Sequence, residues 1–123
     1  MKIQLNESKE ISAGEHSGAI VDIQEKEVTK DGNTYNYMDV IVSIDGMTTS
    51  EGKPITRKYG MALREKVTPK SKLGQFLKQA GVKLGSEVDT KSLVGRKVKV
   101  VIQKNPDVKT GKVYDDIVSF NFV

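Results

Sequence analysis

TPKSKLGQFLKQAG, residues Thr68–Gly81, is the stretch on which the reading of the chain turns. Leu73, Phe76, Leu77 and Ala80 recur at i, i+3, i+4 and i+7 and therefore share one face of a 3.6-residue period. Thr68 suits the N-cap. Pro69 fits the first helical position, where its missing N–H is no loss, and Gly81 can take the left-handed conformation that ends a helix. No other segment carries this periodicity, so the chain is expected to have one short helix.

Working outward from the helix, the pattern changes to the period of two that marks strands. Upstream, Gly18 to Val28 places Ala19, Val21 and Ile23 on one face and Asp22 and Gln24 on the other. Lys30-Asp31-Gly32-Asn33 supplies a turn, because Asp-Gly adopts positive φ cheaply. Tyr35 to Ile44 alternates most cleanly: Met38, Val40, Val42 and Ile44 point one way, Tyr35, Tyr37, Asp39 and Ser43 the other. After a connection from Asp45 to Pro54, a third strand over Ile55 to Leu63 leaves its register open: Arg57 and Tyr59 share a face with Ile55 and Met61, while Thr56, Lys58, Gly60 and Ala62 make up the other. Downstream, Val82 to Val94 reads as a connector anchored by Val82, Leu84, Val88 and Leu93. Arg96 to Gln103 is a fourth strand with Val98, Val100 and Ile102 inward and Lys97 and Lys99 outward. Lys104 to Lys112 is a hairpin loop, and Val113 to Phe122 a fifth strand. Residues 1–17 read as a short arm, with Ile3 and Leu5 alternating before a polar loop from Asn6 to Ser17. Three strands, a helix and two strands is the order of an OB-fold: an all-β, five-stranded barrel with one capping helix between strands 3 and 4.

Composition bounds the rest. The 123 residues form one domain with one modest core, and neither a repeat nor a low-complexity linker divides them. Hydrophobic residues at 37% and charged residues at 29% indicate a folded, soluble chain. No apolar run approaches a membrane span and no signal peptide is visible, so no membrane association is expected. Without cysteine there is neither a disulfide framework nor a thiolate metal site, and a reducing cytoplasmic setting is expected. A net charge of +4 permits a polyanionic partner without requiring one, since a basic surface often serves solubility alone.

Enzyme readings fare poorly. One histidine and no cysteine exclude a multi-histidine or His-Cys metal site, and Ser17 beside His16 is sequence adjacency with no orienting acid at a recognisable spacing. Asp115 and Asp116 fall on opposite faces of a strand and cannot share a site. Gly52-Lys53 lacks the remainder of a phosphate-binding loop. Neither catalysis nor a cofactor is expected.

Single-strand binding needs cations that follow phosphates and flat rings on which bases stack. Tyr35 and Tyr37, on the polar face of strand two, fit such a platform; the alternative is that they cover an apolar patch or brace the first turn. Arg57, Lys58 and Tyr59 lie on strand three beside them, and strands two and three form the usual OB binding face. Tyr59 shares its face with Ile55 and Met61, which also makes it a core candidate. Lys97, Lys99, Lys104, Lys109 and Lys112 gather about the last hairpin as a candidate phosphate track, with Lys26, Lys30 and Asp31 as an opposing lip. For any one of these lysines, a solvated surface is the plainer reading. Phe76, Phe120 and Phe122 are core candidates.

Ala13-Gly14-Glu15-His16-Ser17-Gly18-Ala19-Ile20, Leu73-Gly74-Gln75-Phe76-Leu77, and the run from Val88 through Ser92-Leu93-Val94-Gly95-Arg96 to Val98 together resemble bacteriophage OB-fold single-stranded DNA-binding proteins. The resemblance spans most of residues 13–120 and rests on Gly and apolar spacing. His16 stands where that pattern more often carries an aromatic. The chain ends Phe120-Asn121-Phe122-Val123 in place of the acidic tail of bacterial single-strand binders, so recruitment of replication partners through such a tail is not expected. The resemblance implies a largely sequence-independent binder of single-stranded DNA in phage replication or recombination, acting in the host cytoplasm. RNA offers the same phosphates and stackable bases, and a homodimer is compatible with the sequence. The reading from another class is an OB-like interaction or structural module of a phage or bacterium whose ligand is a protein.

Overall fold

The computed structural model describes residues 11–63, 70–83 and 87–123. Five strands, β1 (Gly14–Lys30), β2 (Asn33–Thr48), β3 (Pro54–Leu63), β4 (Lys97–Pro106) and β5 (Val113–Phe122), form one sheet, with helix α1 (Lys72–Gln79) between β3 and β4. Their order is β3-β2-β1-β4-β5 and every adjacent pair is antiparallel. This is the expected OB order, with β1 shared between a three-stranded meander and the β4–β5 hairpin. The connector before β4 contains one turn of 3₁₀ helix, Thr90–Leu93. Among the described residues no helix is long and apolar enough to cross a membrane.

The alternation of β2 and β4 builds the core. Met38, Val40, Val42 and Ile44 from β2 meet Val98, Val100 and Ile102 from β4, all buried. Each such side chain contributes about 1.5–3 kcal/mol on leaving water. α1 closes one end by inserting Leu73 and Phe76, and the Phe76 ring lies 5.3 Å from that of Phe120 and 5.2 Å from that of Phe122.

The helix begins later than its composition suggests. Ser71 is the N-cap, its hydroxyl accepting from the Gly74 N–H at 3.0 Å. Thr68 and Pro69 lie outside the described residues, as do Ile3, Leu5 and Leu84. At the other end Gly81 sits at φ +89°, while the Val82 N–H reaches the Leu77 carbonyl and the Gly81 N–H that of Lys78. That pair of bonds is the Schellman arrangement for which a C-terminal glycine is suited.

β1 departs most from expectation. It starts at Gly14, so residues 14–17, read as part of the arm and its polar loop, pair with β4 instead. The register with β2 then slips between Ile20 and Asp22, which makes Val21 a bulge. One extra residue reverses the parity of what precedes it. Ile20 is therefore core and Val21 exposed, so Ala19, Val21 and Ile23 do not share the one face expected of them, although Ile23, beyond the bulge, packs against the core. Just before the bulge the strands come very close: a Cβ on Gly18 would stand 2.3 Å from the Ser43 carbonyl oxygen.

β3 and β5 are the ends of the hydrogen-bonded order, and they meet through side chains. Asp115 sits between Arg57 of β3 (Nη2 at 2.9 Å, Nε at 3.2 Å) and Lys104 of β4 (Nζ at 2.5 Å). Further along, the Tyr59 ring stacks on that of Phe120 at 5.1 Å with an interplanar angle of 7°. The Lys72 ammonium lies 4.0 Å above the same Tyr59 ring and donates to the Gly60 carbonyl.

Candidate nucleic-acid interface

The outer face of β2 carries Tyr35, Tyr37, Asp39, Ile41 and Ser43, opposite in parity to the buried Met38, Val40, Val42 and Ile44. Tyr35 is 47% exposed and Tyr37 is half-buried. Both stand where the β1–β2 hairpin turns through Asp31 and Gly32, each at positive φ. The last β3 residue paired with β2 is Leu63, opposite Asn36, so Tyr35 lies on hairpin beyond that ladder. Register fixes the neighbours of the rings. Tyr37 is flanked by Lys26 on β1 and Ala62 on β3, Tyr35 by Val28, and Ile41 by Lys58 on β3.

The same register places both signs of charge on this face, Asp22 opposite Ile41 and Asp39 between Tyr37 and Ile41, alongside the lysines. Lys26 shares the tyrosine face, while Glu25 and Glu27, its neighbours in sequence, pair with Met38 and Asn36 and point to the other side. Lys58 likewise faces outward between the inward Arg57 and Tyr59. Lys26 and Lys58 have no acidic partner among the described residues.

The seam carries this face onto β5. Arg57 and Asp115 both point inward where they meet, so Lys58 on one strand and Tyr114 and Asp116 on the other point outward beside them. Tyr114 is 50% exposed, and with Lys109 it borders a shallow open hollow at the β4–β5 hairpin. The loop is held by its own short bonds. Asp107 Oδ1 accepts from the Lys109 N–H at 2.9 Å, and the Asp107 carbonyl from the Gly111 N–H at 2.8 Å. Lys109 and Lys112 are exposed on it. The face thus runs from Tyr35 and Tyr37 at the first hairpin, across Ile41 and Lys58, to Tyr114, Lys109 and Lys112 at the last.

The sequence-derived candidates divide accordingly. Tyr35, Tyr37, Lys58, Lys109 and Lys112 share the outer face or its far loop. Arg57, Tyr59 and Lys104 turn inward: Arg57 and Lys104 hold Asp115, and Tyr59 packs on Phe120. Lys104 follows the parity of Ile102 and sits directly opposite Asp115, so it does not extend the outer row of Lys97 and Lys99. Those two do point outward, but beside Ala19 and Ser17. Tyr37 is beside Lys26, about seven residues or roughly 23 Å further along β1. Lys99 also lies 3.7 Å from Glu15 in an exposed pair, which contributes little. His16 is engaged locally, its Nε2 2.6 Å from the Ser12 carbonyl oxygen.

Burial and pairing set the titrations. Burial works to raise the Asp115 pKa, but the hydrogen bonds and charges of Lys104 and Arg57 outweigh it and hold the carboxyl below its ordinary range. Burial alone raises Tyr59 and lowers Lys72. Tyr114 is the member of the face that sequence reasoning left out, and Lys26, read from the sequence as part of an opposing lip, lies instead beside Tyr37 on the face itself. Their signal was present, as an aromatic opening strand five beside the lysine loop and as a lysine flanked by glutamates, but only register gives it meaning.

No protein-family model matches the chain, and no curated protein matches it significantly.

Proposed function

We propose that this protein binds single-stranded nucleic acid, DNA in the first instance, along the outer face of β2 and β3, with the two hairpins as jaws. The observation that carries the reading is that strand parity brings Tyr35, Tyr37, Lys26 and Lys58 to one face, with both lysines free of an acidic partner among the described residues. Stacking rings supply most of the base affinity and tolerate any base, and the lysines follow the phosphates. The face spans about 20 Å of β2, from Tyr35 to Ile41, room for a few extended nucleotides. A role in protecting or organising strands during phage DNA replication or recombination follows from the sequence resemblance.

Fluorescence anisotropy with labelled oligo-dT, duplex DNA and oligo-U at two salt concentrations tests this reading. The expected result is tight, salt-sensitive binding of oligo-dT and weak binding of duplex, which offers no open base faces. Absence of binding to every strand would point instead to a protein ligand for this face.

A further inference from the structure

We propose that Asp39 reads the Watson–Crick edge of a base stacked on Tyr37, giving the interface a preference for guanine over thymine. The inference rests on the single-strand reading above and adds selectivity at one base position. Asp39 follows Tyr37 by two residues on the outer face of β2, roughly 7 Å along the strand, and is half-buried there. Its neighbour on β3 is Gly60, and a Cβ at that glycine would lie 3.1 Å from Asp39 Oδ1. The carboxylate therefore leans over a residue with no side chain, leaving the β3 side open to an approaching base. Its neighbour on β1 is Gln24, whose amide is turned to Asp22. No donor among the described residues meets the Asp39 carboxylate.

An acceptor-only group at the centre of a phosphate-binding face repels the backbone, so what it recognises must be a donor on a base. Guanine presents two adjacent donors, N1–H and N2–H, that match the two oxygens of one carboxylate. Adenine and cytosine present one amino group beside a ring acceptor. Thymine and uracil present a single N3–H between two carbonyl oxygens that repel a carboxylate. Splayed single-strand bases expose these edges while they stack. The expected rank is guanine first and thymine last.

The test compares wild-type protein and Asp39→Asn in anisotropy titrations against oligo-dT and an equal-length alternating strand of dT and 7-deazaguanine, which keeps both donors and cannot form quadruplexes. A third strand carries inosine, which lacks the N2 amino group. Wild type should bind the guanine strand about tenfold or more tighter than oligo-dT, within the range of a good bidentate base contact, with inosine between. Asp39→Asn should close that gap and hold or tighten oligo-dT binding, because a negative charge has left the face. Equal wild-type affinity for guanine and thymine strands, or a gap that survives in Asp39→Asn, would overturn the proposal while leaving single-strand binding in place. Failure of wild type to bind any of the three strands would instead remove the single-strand reading and this one with it. The wild-type base series decides the question even if the variant folds poorly.

Discussion

Replacing Asp115 by Asn removes the charge on which β3 and β5 meet. Its side chain is 11% exposed, and it takes two guanidinium bonds from Arg57 and one ammonium from Lys104. Hydrogen bonds to charged groups contribute about 1.5–3 kcal/mol each when buried. The cations here are 32% and 30% exposed, so water screens them and rehydrates them once the carboxylate is gone. The net loss comes to about 2 kcal/mol. At roughly 2.1 cal/mol/K per residue, the unfolding entropy of the 123-residue chain is about 0.26 kcal/mol/K, so Tm should fall by about 8 °C. Urea denaturation and thermal melts of Asp115→Asn, Arg57→Met and the double variant measure this. The double variant should lose about 1 kcal/mol less than the sum of the singles, because the two side chains share one interaction. The pH dependence follows from the lowered pKa of Asp115. Its unfolded value is near 3.8, so the contribution is complete above that pH and is lost as pH falls through the lower folded value. A parental Tm for Asp115→Asn at pH 7, or additive single variants, would refute this account of the seam.

Phe76→Ala should cost about 3–5 kcal/mol in urea denaturation, the range for truncating a buried aromatic, because its ring contacts both Phe120 and Phe122. An unchanged midpoint would show that α1 does not close the barrel end. With Lys26, Lys58, Lys109 and Lys112 as phosphate contacts, log K against log[salt] should slope by about −0.7 per contact, roughly −3 in total. Lys109→Ala with Lys112→Ala should flatten that slope by about 1.4 and weaken all sequences alike. An unaltered slope would take the last hairpin out of the binding surface.

The parts of the fold legible in the sequence are those decided by near neighbours. The alternation of Tyr35 to Ile44 gave both the buried row and the outward tyrosines, and the spacing of Leu73 and Phe76 gave the helix face. Parity failed at β1 because nothing local marks Val21 as a bulge, and one inserted residue exchanged the roles of Ile20 and Val21. Lys104 looked like surface because lysine usually is. Its inward turn is explained by Asp115 across the ladder, and Asp115 in turn reaches Arg57, 58 residues away in sequence. The separation of Lys26 from Glu25 and Glu27, and the approach of Tyr114 to the β3 face, likewise depend on pairings that composition does not contain.

The most direct measurement is oligo-dT affinity set beside the unfolding midpoint for Tyr35→Ala and Tyr37→Ala. The two rings share a face roughly 7 Å apart, close enough to meet neighbouring nucleotides, and the core row opposite them keeps the barrel folded without them. Loss of one stacking ring removes about 1–3 kcal/mol per base, so each variant should bind roughly five- to a hundredfold more weakly while its unfolding midpoint stays near that of the parent. Parental affinity in both variants would contradict the account.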